Sequence, residues 1–262
     1  MTWTDPFSDS RSRLALLSQS AREWALFLDI DGTLLDIAER PDLVRVPPEL
    51  ISDLERVSGA LGGALALVSG RAISWIDGAF RPLRLPVAGQ QGSEIRLEED
   101  GPIVTTVAAN LDKVRARLRP LDGVEGIEIE DKGLTIAAHY RRAHERVAFA
   151  KALIESARAN LETDIEMIPG RLVYELKARS VNKGTAVARL ADTPAFSRRM
   201  PVYVGDDHTD EYGFQEVLAR GGIAVQVGPS QAPPGCLWIE SPSEMRRWLG
   251  GLFACARQSA CA

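Results

Sequence analysis

The sequence predicts an α/β protein: a core with a parallel sheet, interrupted by a smaller α+β domain. Near both ends of the chain, apolar segments typical of buried strands alternate with segments whose apolar residues recur at helical spacing. Between about residues 108 and 178, helices alternate with hairpin patterns instead, which indicates an antiparallel sheet. The 262 residues allow one large domain or two modest ones. We therefore expect a core of residues 1–107 and 179–262 and an inserted domain of residues 108–178.

The first strand of the core is predicted at residues 25–29. Its residues from Leu26 to Leu28 are all apolar, as expected for a central strand that is covered on both faces. The strand ends at Asp29, and Asp31 follows two positions later, so both carboxylates lie on the same side of an extended chain. Gly32 then permits a sharp turn that leaves the two acids at the carboxyl end of the strand. Ligands bind at this end in open α/β sheets.

The remaining elements of the first half repeat this plan of strand, polar turn and helix. A helix opens at the Pro47-Pro48 pair and closes at the Gly62-Gly63 pair. The next strand, 64–68, ends in a turn of Ser69, Gly70 and Arg71 that leads into a helix. The other predicted elements are a short strand at 86–88 and a hairpin of 95–97 with 103–107.

The inserted domain and the second half of the core follow. The inserted domain is predicted to hold helices at about 108–119 and 143–160 and strands at 126–130, 134–140, 164–168 and 171–177. The core then resumes with a helix from Lys183 to Leu190, which Asn182 can cap. The strand 202–204 ends in a second acidic segment that includes Asp206, Asp207 and Asp210, and Thr209 is expected to cap the helix after it. Short strands at 223–227 and 237–239 and a helix at 242–253 complete the core.

Composition excludes several classes of protein. A net charge of −5 and a pI near 5.4 argue against a nucleic-acid-binding protein. The three cysteines all lie within the last 27 residues without metal-type spacing, which favours a reducing compartment. No apolar run is long enough for a membrane span, and the first 14 residues lack the apolar core of a signal peptide. We expect a cytoplasmic monomer that acts on a small molecule and binds neither nucleic acid nor membrane.

Parallel topology should bring the polar ends of these elements to one edge of the sheet. A phosphate group beside two carboxylates would be repelled by about 4 kcal/mol per pair at 4 Å and an effective dielectric of about 20. Such a site needs cations, which the ammonium of Lys183 and a hard divalent ion such as Mg²⁺ can supply. The groups expected at this edge are Asp29, Asp31, Ser69, Gly70, Lys183, Asp206, Asp207 and Asp210.

These residue types suit phosphate ester hydrolysis through a covalent intermediate. We expect Asp29 to attack phosphorus and Asp31 to protonate the leaving oxygen and then activate water. Ser69 and the amide of Gly70 can bind the phosphoryl oxygens together with Lys183. The predicted metal ligands are Asp29, Asp31 and Asp206, while Asp207 and Asp210 are expected to act on bound water or on the loop.

The four motifs, Asp29 to Thr33, Ser69 to Arg71, Lys183 and Gly205 to Asp207, resemble those of the haloacid dehalogenase superfamily of phosphatases. Within it, the segments 173–177, 181–184 and 206–211 resemble the trehalose-6-phosphate phosphatase family. The resemblance implies a Rossmann-like core, an inserted cap domain, Mg²⁺, and hydrolysis of trehalose 6-phosphate to trehalose and phosphate. It also implies sugar contacts in the cap, and the residues assigned to the sugar are Glu130, Lys132, Glu175, Arg71 and Asn182. The segment 90–94 departs from the family, which more often has Asn or His before Gly-Ala-Glu.

Two alternatives remain open from the sequence. The protein could be a phosphatase for another sugar phosphate, such as sucrose phosphate, or a phosphomutase of the same fold. It could also be a non-catalytic regulatory or binding domain, because the acidic and Ser-Gly-Arg motifs taken singly match ordinary turns or loops, and Lys183 alone matches a solvated helix residue. The complete set of Asp29, Asp31, Lys183 and Asp206 argues against a binding domain, which has no need for acids that repel one another.

Overall fold

The computed structural model describes residues 13–15, 18–37, 44–140, 145–161, 163–170, 172–228 and 232–253. Its strands, in chain order, are β1 (Trp24–Leu28), β2 (Leu65–Val68), β3 (Val87–Gly89), β4 (Glu94–Arg96), β5 (Ile103–Thr105), β6 (Glu128–Asp131), β7 (Ile136–His139), β8 (Ile165–Gly170), β9 (Val173–Ala178), β10 (Met200–Gly205), β11 (Ile223–Val227) and β12 (Leu237–Ile239). Its α-helices are α1 (Pro48–Ala60), α2 (Ile73–Ala79), α3 (Leu111–Leu118), α4 (Val147–Arg158), α5 (Lys183–Ala191), α6 (Glu211–Ala219) and α7 (Pro242–Gly251).

The larger sheet has eight strands in the order β12-β11-β10-β1-β2-β3-β4-β5. The strands from β12 to β3 pair in parallel, and β4 and β5 extend the sheet with antiparallel pairs. In the centre, Phe27 of β1 lies between Tyr203 of β10 and Ala66 of β2. Every residue of β1 is buried, as predicted for a central strand. This sheet fixes the carboxyl ends of β1, β2 and β10 at one edge.

The smaller sheet is antiparallel and has the order β6-β7-β9-β8. Helices α3 and α4 supply apolar residues to its own buried cluster, which runs in sequence from Ala108 to Val181. The eight-stranded sheet packs in a separate cluster formed by residues before and after this segment. The α/β fold class with a second, α+β unit is therefore confirmed.

The sequence placed several element ends incorrectly by a few residues. Helix α3 begins at Leu111 rather than at about 108, because Ala108 to Asn110 form the turn that precedes it. Helix α4 begins at Val147 rather than at about 143, and residues 143 and 144 of the predicted helix lie outside the described residues. None of the helices in the described ranges is both long and apolar enough to cross a membrane.

Candidate active site

Four chain segments bring polar side chains to the carboxyl edge of the larger sheet. Asp29 follows β1, Ser69 follows β2, and Asp206 follows β10. Lys183 is the first residue of α5, whose start Asn182 caps by accepting a hydrogen bond from the amide of Thr185 at 2.9 Å. This helix cap was predicted, and it places Lys183 in the first turn of α5.

The ammonium group of Lys183 links two carboxylates in the interior. Its Nζ donates to Oδ1 of Asp29 at 2.8 Å and to Oδ1 of Asp210 at 2.6 Å. Burial alone would lower the pKa of Lys183, but Asp210 and Asp29 outweigh burial and raise its pKa well above the ordinary value. Burial and the neighbouring Asp210 raise the pKa of Asp29, although Lys183 opposes them. Lys183 therefore remains charged between the two carboxylates.

Asp210 organises the acidic loop more directly than the sequence indicated. Its Oδ1 also accepts from the hydroxyl of Tyr203 at 2.6 Å, and its Oδ2 accepts from the amides of Asp206 and Asp207 at 3.0 and 3.1 Å. Together with Lys183, these donors fill the roughly four hydrogen-bond acceptor positions of the Asp210 carboxylate. The role of Tyr203 was not predicted, because a tyrosine within an apolar strand gives no sign of its hydroxyl's partner.

Asp206 lies against the turn that follows Asp29. The hydroxyl of Thr33 donates to its Oδ1 at 3.3 Å, and a Cβ atom on Gly32 would lie only 2.0 Å from its Oδ2. Gly32 has a φ of +85°, so both its conformation and this contact require glycine. Burial, followed by repulsion from Asp210 and Asp207, raises the pKa of Asp206 to about 7. One lysine thus leaves the acids of this site incompletely neutralised.

The donor set fits a hard divalent cation. Asp29, Asp206 and Asp210 each offer a carboxylate oxygen, and these oxygens lie within 4.8 Å of one another. Because protein donors already fill the acceptor positions of Asp210, Asp29 and Asp206 are the better ligands in this group. Asp31 lies outside this group of three.

Asp31 forms a two-point ion pair with Arg71. Nε and one terminal nitrogen of Arg71 each donate to the carboxylate of Asp31 at 2.6 Å. The guanidinium carbon of Arg71 also lies 3.7 Å from the ring centre of Trp75, which stacks against it. In the same turn, Ser69 Oγ accepts from the amide of Arg71 at 3.2 Å. Arg71, which was assigned to the sugar, is thus held at the predicted acid/base residue.

The predicted sugar residues of the smaller sheet lie in two groups. Lys132 Nζ donates to Oε1 of Glu175 at 3.2 Å, and Glu175 is 9% exposed. Glu130, on β6, lies 2.8 Å from Nε2 of His139, and this hydrogen bond is the main cause that lowers the pKa of Glu130. Burial would lower the pKa of Lys132, but Glu175 and Glu130 outweigh burial and raise it, so the charges of the two groups act on each other.

One capping prediction was wrong. Thr209 does not cap the helix after the acidic segment; Asp207 caps a short 3₁₀ turn, His208–Asp210, that precedes α6. Oδ1 of Asp207 accepts from the amide of Thr209 at 2.7 Å and from its hydroxyl at 2.6 Å. A carboxylate is the stronger acceptor, so Thr209 becomes the donor. This contact agrees with a role for Asp207 in shaping the loop.

Comparisons with a family model and with curated relatives point to the same protein family. A family model described as trehalose-phosphatase matches residues 27–234. The chain is 42% identical over 218 residues to a probable trehalose-phosphate phosphatase of Sinorhizobium fredii, covering 82% of each chain. It is 34% identical over 214 residues to the trehalose-6-phosphate phosphatase of Escherichia coli, covering 79% of this chain and 78% of the relative.

Solved structures agree on the fold. The C-terminal domain of a trehalose-6-phosphate phosphatase from C. albicans matches with a TM-score of 0.79 and 20% identity, covering 92% of this chain and 96% of that domain. At this identity, the likeness concerns the fold. The structure therefore shares its arrangement of strands and helices with proteins whose sequences have diverged widely.

Proposed function

Because the chain belongs to the trehalose-phosphatase family, whose named members are phosphoric monoester hydrolases, we propose that it hydrolyses trehalose 6-phosphate to trehalose and phosphate. The observation that carries this proposal is the buried contact of Lys183 with Asp29 and Asp210 beside Asp206. A non-catalytic domain gains nothing from crowding these acids around one cation, because their burial and mutual repulsion cost free energy.

Mg²⁺ is the proposed cofactor, with Asp29 and Asp206 as ligands that both the sequence and the acidic cluster support. Asp31 is the third ligand expected from the sequence. When bound, the ion would neutralise the charge that the phosphoryl group brings to the carboxylates. Asp210 and Asp207 shape the loop that presents Asp206.

In the proposed mechanism, a carboxylate oxygen of Asp29 attacks phosphorus, and the bond between phosphorus and the sugar oxygen breaks. Asp31 leaves Arg71, takes up a proton from solvent and donates that proton to the departing oxygen, so that trehalose leaves as a neutral alcohol. Asp31 then takes a proton from water, whose oxygen attacks phosphorus and releases phosphate from Asp29. Lys183, Ser69 and the amide of Gly70 are proposed to hold the phosphoryl oxygens throughout.

We further propose that residues 108–178 act as a cap that recognises the sugar, while 1–107 and 179–262 form the catalytic core. The phosphate site alone cannot distinguish one sugar phosphate from another. The paired Lys132 and Glu175 can donate to and accept from hydroxyl groups, and they support this assignment. Glu130, Arg71 and Asn182 are further proposed sugar contacts. Closure over the substrate would exclude bulk water from the reaction.

Phosphate release from trehalose 6-phosphate, with Mg²⁺ and then with excess chelator, tests this function. We expect steady release with Mg²⁺ and its loss in chelator. Sucrose 6-phosphate serves as the comparison substrate. Faster release from sucrose 6-phosphate would identify another sugar phosphate as the substrate, and an isomerised product without phosphate release would indicate a phosphomutase.

A further inference from the structure

A buried chain of polar side chains connects the smaller sheet to the turn after β2. It runs from Glu175 on β9 through Thr135, which precedes β7, to Gln90 in the short 3₁₀ turn after β3 and Glu94 on β4. The exposed fractions of these residues are 9%, 0%, 4% and 9%. Buried polar groups are costly unless they are paired, so their arrangement across two sheets requires an explanation.

Thr135 lies in the middle of this series of polar side chains, between Glu175 and Gln90. Its hydroxyl lies 2.7 Å from Oε1 of Glu175 and 3.5 Å from Oε1 of Gln90. A hydroxyl carries one proton and can therefore donate to only one of these oxygens at a time. In this structure the shorter bond goes to Glu175, whose Oε1 also accepts from Lys132. A sugar hydroxyl that donates to the same oxygen would compete directly with Thr135.

The side-chain amide of Gln90 is oriented so that its carbonyl oxygen can accept a hydrogen bond from the hydroxyl of Thr135. Its Nε2 donates to Oε1 of Glu94 at 3.3 Å, which directs its Oε1 towards Thr135. The same oxygen of Glu94 accepts from the amide of Ile73 at 2.6 Å. Ile73 is the first residue of α2, so this contact reaches the helix that follows Ser69, Gly70 and Arg71.

The backbone around Gln90 also holds this turn. The amide of Gln90 donates to the carbonyl of Arg71 at 2.9 Å, and the amide of Gln91 donates to the carbonyl of Ser69 at 3.0 Å. Gln90 and Gln91 have φ values of 46° and 59°, a left-handed conformation that is unfavourable for a non-glycine residue. A Cβ atom on Gly70 would lie 2.8 Å from Nε2 of Gln91, so the two segments are closely packed.

We propose that Thr135 and Gln90 are positioning residues that couple sugar binding at Glu175 to the geometry of the Ser69–Arg71 turn. The inference rests on the proposed function and assigns a role to residues outside the catalytic motifs. When a sugar hydroxyl occupies Glu175, the proton of Thr135 turns to Oε1 of Gln90. This new bond fixes Gln90 and, through its backbone and Glu94, the turn that binds the phosphoryl group. A substrate without a sugar leaves Thr135 on Glu175 and gains nothing from the link.

The test is the ratio of kcat/KM for trehalose 6-phosphate to kcat/KM for p-nitrophenyl phosphate. Thr135→Val removes the hydroxyl and keeps the side-chain shape, and it should lower this ratio by about fivefold or more, mainly through kcat. Thr135→Ser should restore most of the ratio. The matched control is Thr193→Val, which removes a hydroxyl that donates to the carbonyl of Leu190 at 2.8 Å, and it should leave the ratio unchanged.

A double-mutant cycle with Gln90→Met tests the link itself. Gln90→Met should lower the ratio by a similar factor, and the double variant should be no worse than the more affected single variant. Independent effects that multiply, or an equal fall for both substrates in each single variant, would overturn the coupling. Thermal unfolding of every variant identifies losses caused by misfolding, and Gln90→Met tests the proposal if Thr135→Val does not fold. Failure of the wild-type protein to hydrolyse trehalose 6-phosphate would instead overturn the proposed function and the coupling with it.

Discussion

The ammonium of Lys183 lies 2.8 Å from Oδ1 of Asp29, although 154 residues separate them in the chain. The start of α5 and the end of β1 meet at the carboxyl edge of the larger sheet, although all four strands of the smaller sheet lie between them in sequence. The contact joins the proposed nucleophile to a permanent positive charge. It therefore ties folding and phosphate binding to the same buried group.

Lys183→Met should reduce both stability and activity. Removing one partner of a buried ion pair leaves the carboxylates unpaired and typically costs about 3–5 kcal/mol, while loss of a charge-stabilising donor costs about 100-fold or more in kcat. Urea unfolding and phosphate release measure the two effects. The control is Lys151→Met, which removes an exposed lysine 3.9 Å from Glu155 and should change stability by less than about 0.5 kcal/mol. Similar stability of both variants would contradict the importance of the buried contact.

The two acids of the first motif should differ in their response to the leaving group. Asp29→Asn removes the proposed nucleophile and should abolish turnover of every substrate. Asp31→Asn leaves Asp29 able to attack, so turnover of p-nitrophenyl phosphate, whose leaving group needs no proton, should be partly retained. Steady-state rates with this ester and with trehalose 6-phosphate provide the comparison. An equal loss on both substrates in both variants would contradict these roles.

Gly32→Ala should disturb Asp206 for a steric reason. The added Cβ would lie 2.0 Å from Oδ2 of Asp206, so the carboxylate must move, and we expect the Mg²⁺-dependent rate to fall by about tenfold or more. Gly63→Ala is a matched control, since Gly63 has the same φ of +85° with no atom within 4 Å of the added Cβ. Both variants carry the backbone strain, and only the first should raise the Mg²⁺ concentration needed for half-maximal rate. The same Mg²⁺ requirement in the two variants would argue against Asp206 as a ligand.

Because of the ion pair between Asp77 and Arg96, the free energy of unfolding should fall as the pH becomes acidic. Arg96 is 1% exposed and donates to both carboxylate oxygens of Asp77 at 2.7 and 2.8 Å, and these bonds lower the pKa of Asp77. The folded protein thus binds this proton more weakly than the unfolded chain. The resulting stability is present above the ordinary pKa of 3.8 and is lost as pH falls through the lower folded-state value.

Urea unfolding over a pH series measures this contribution. The wild-type protein should exceed Asp77→Asn by about 1–3 kcal/mol at neutral pH, and the difference should shrink below about pH 4. Asp100→Asn is the control, since Asp100 is an exposed acid 3.6 Å from Arg84 and should contribute little. A difference that stays constant down to about pH 3 would contradict the assigned cause.

Local patterns predicted the parts of the fold that depend on neighbouring residues. The apolar run before Asp29 fixed a central strand, and Asn182 fixed the start of α5, because burial on both faces and helix capping are both visible in a few residues. The antiparallel smaller sheet followed from the alternation of hairpins and helices in the same way. The ends of some elements, such as the start of α3, were misplaced by a few residues, because local turn bonds decide them.

Contacts between distant segments could not be predicted in this way. The pairing of Asp31 with Arg71, and the bond from Tyr203 to Asp210, depend on which side chains meet after folding. Thr209 shows the same limit at short range, because the choice between two possible caps depended on the stronger acceptor, Asp207. The sequence therefore predicted which groups reach the edge of the sheet, and the structure adds how they pair.

The central claim is that the protein recognises the sugar of its substrate, and substitution of Glu175 tests this claim most directly. Glu175 is buried beside Lys132. Replacing it with alanine should remove the contacts that, in this account, only a substrate with both sugar rings makes. Glu128→Ala is the control, because Glu128 is an exposed glutamate on β6. Glucose 6-phosphate is the matched substrate, since it presents the same phosphate ester without the second ring.

The most direct measurement is kcat/KM of the wild-type protein and these two variants for trehalose 6-phosphate and glucose 6-phosphate. We predict that wild type and Glu128→Ala prefer trehalose 6-phosphate by about tenfold or more, and that Glu175→Ala loses most of this preference. Equal values for the two substrates in the wild-type protein would contradict the assignment of trehalose 6-phosphate as the substrate.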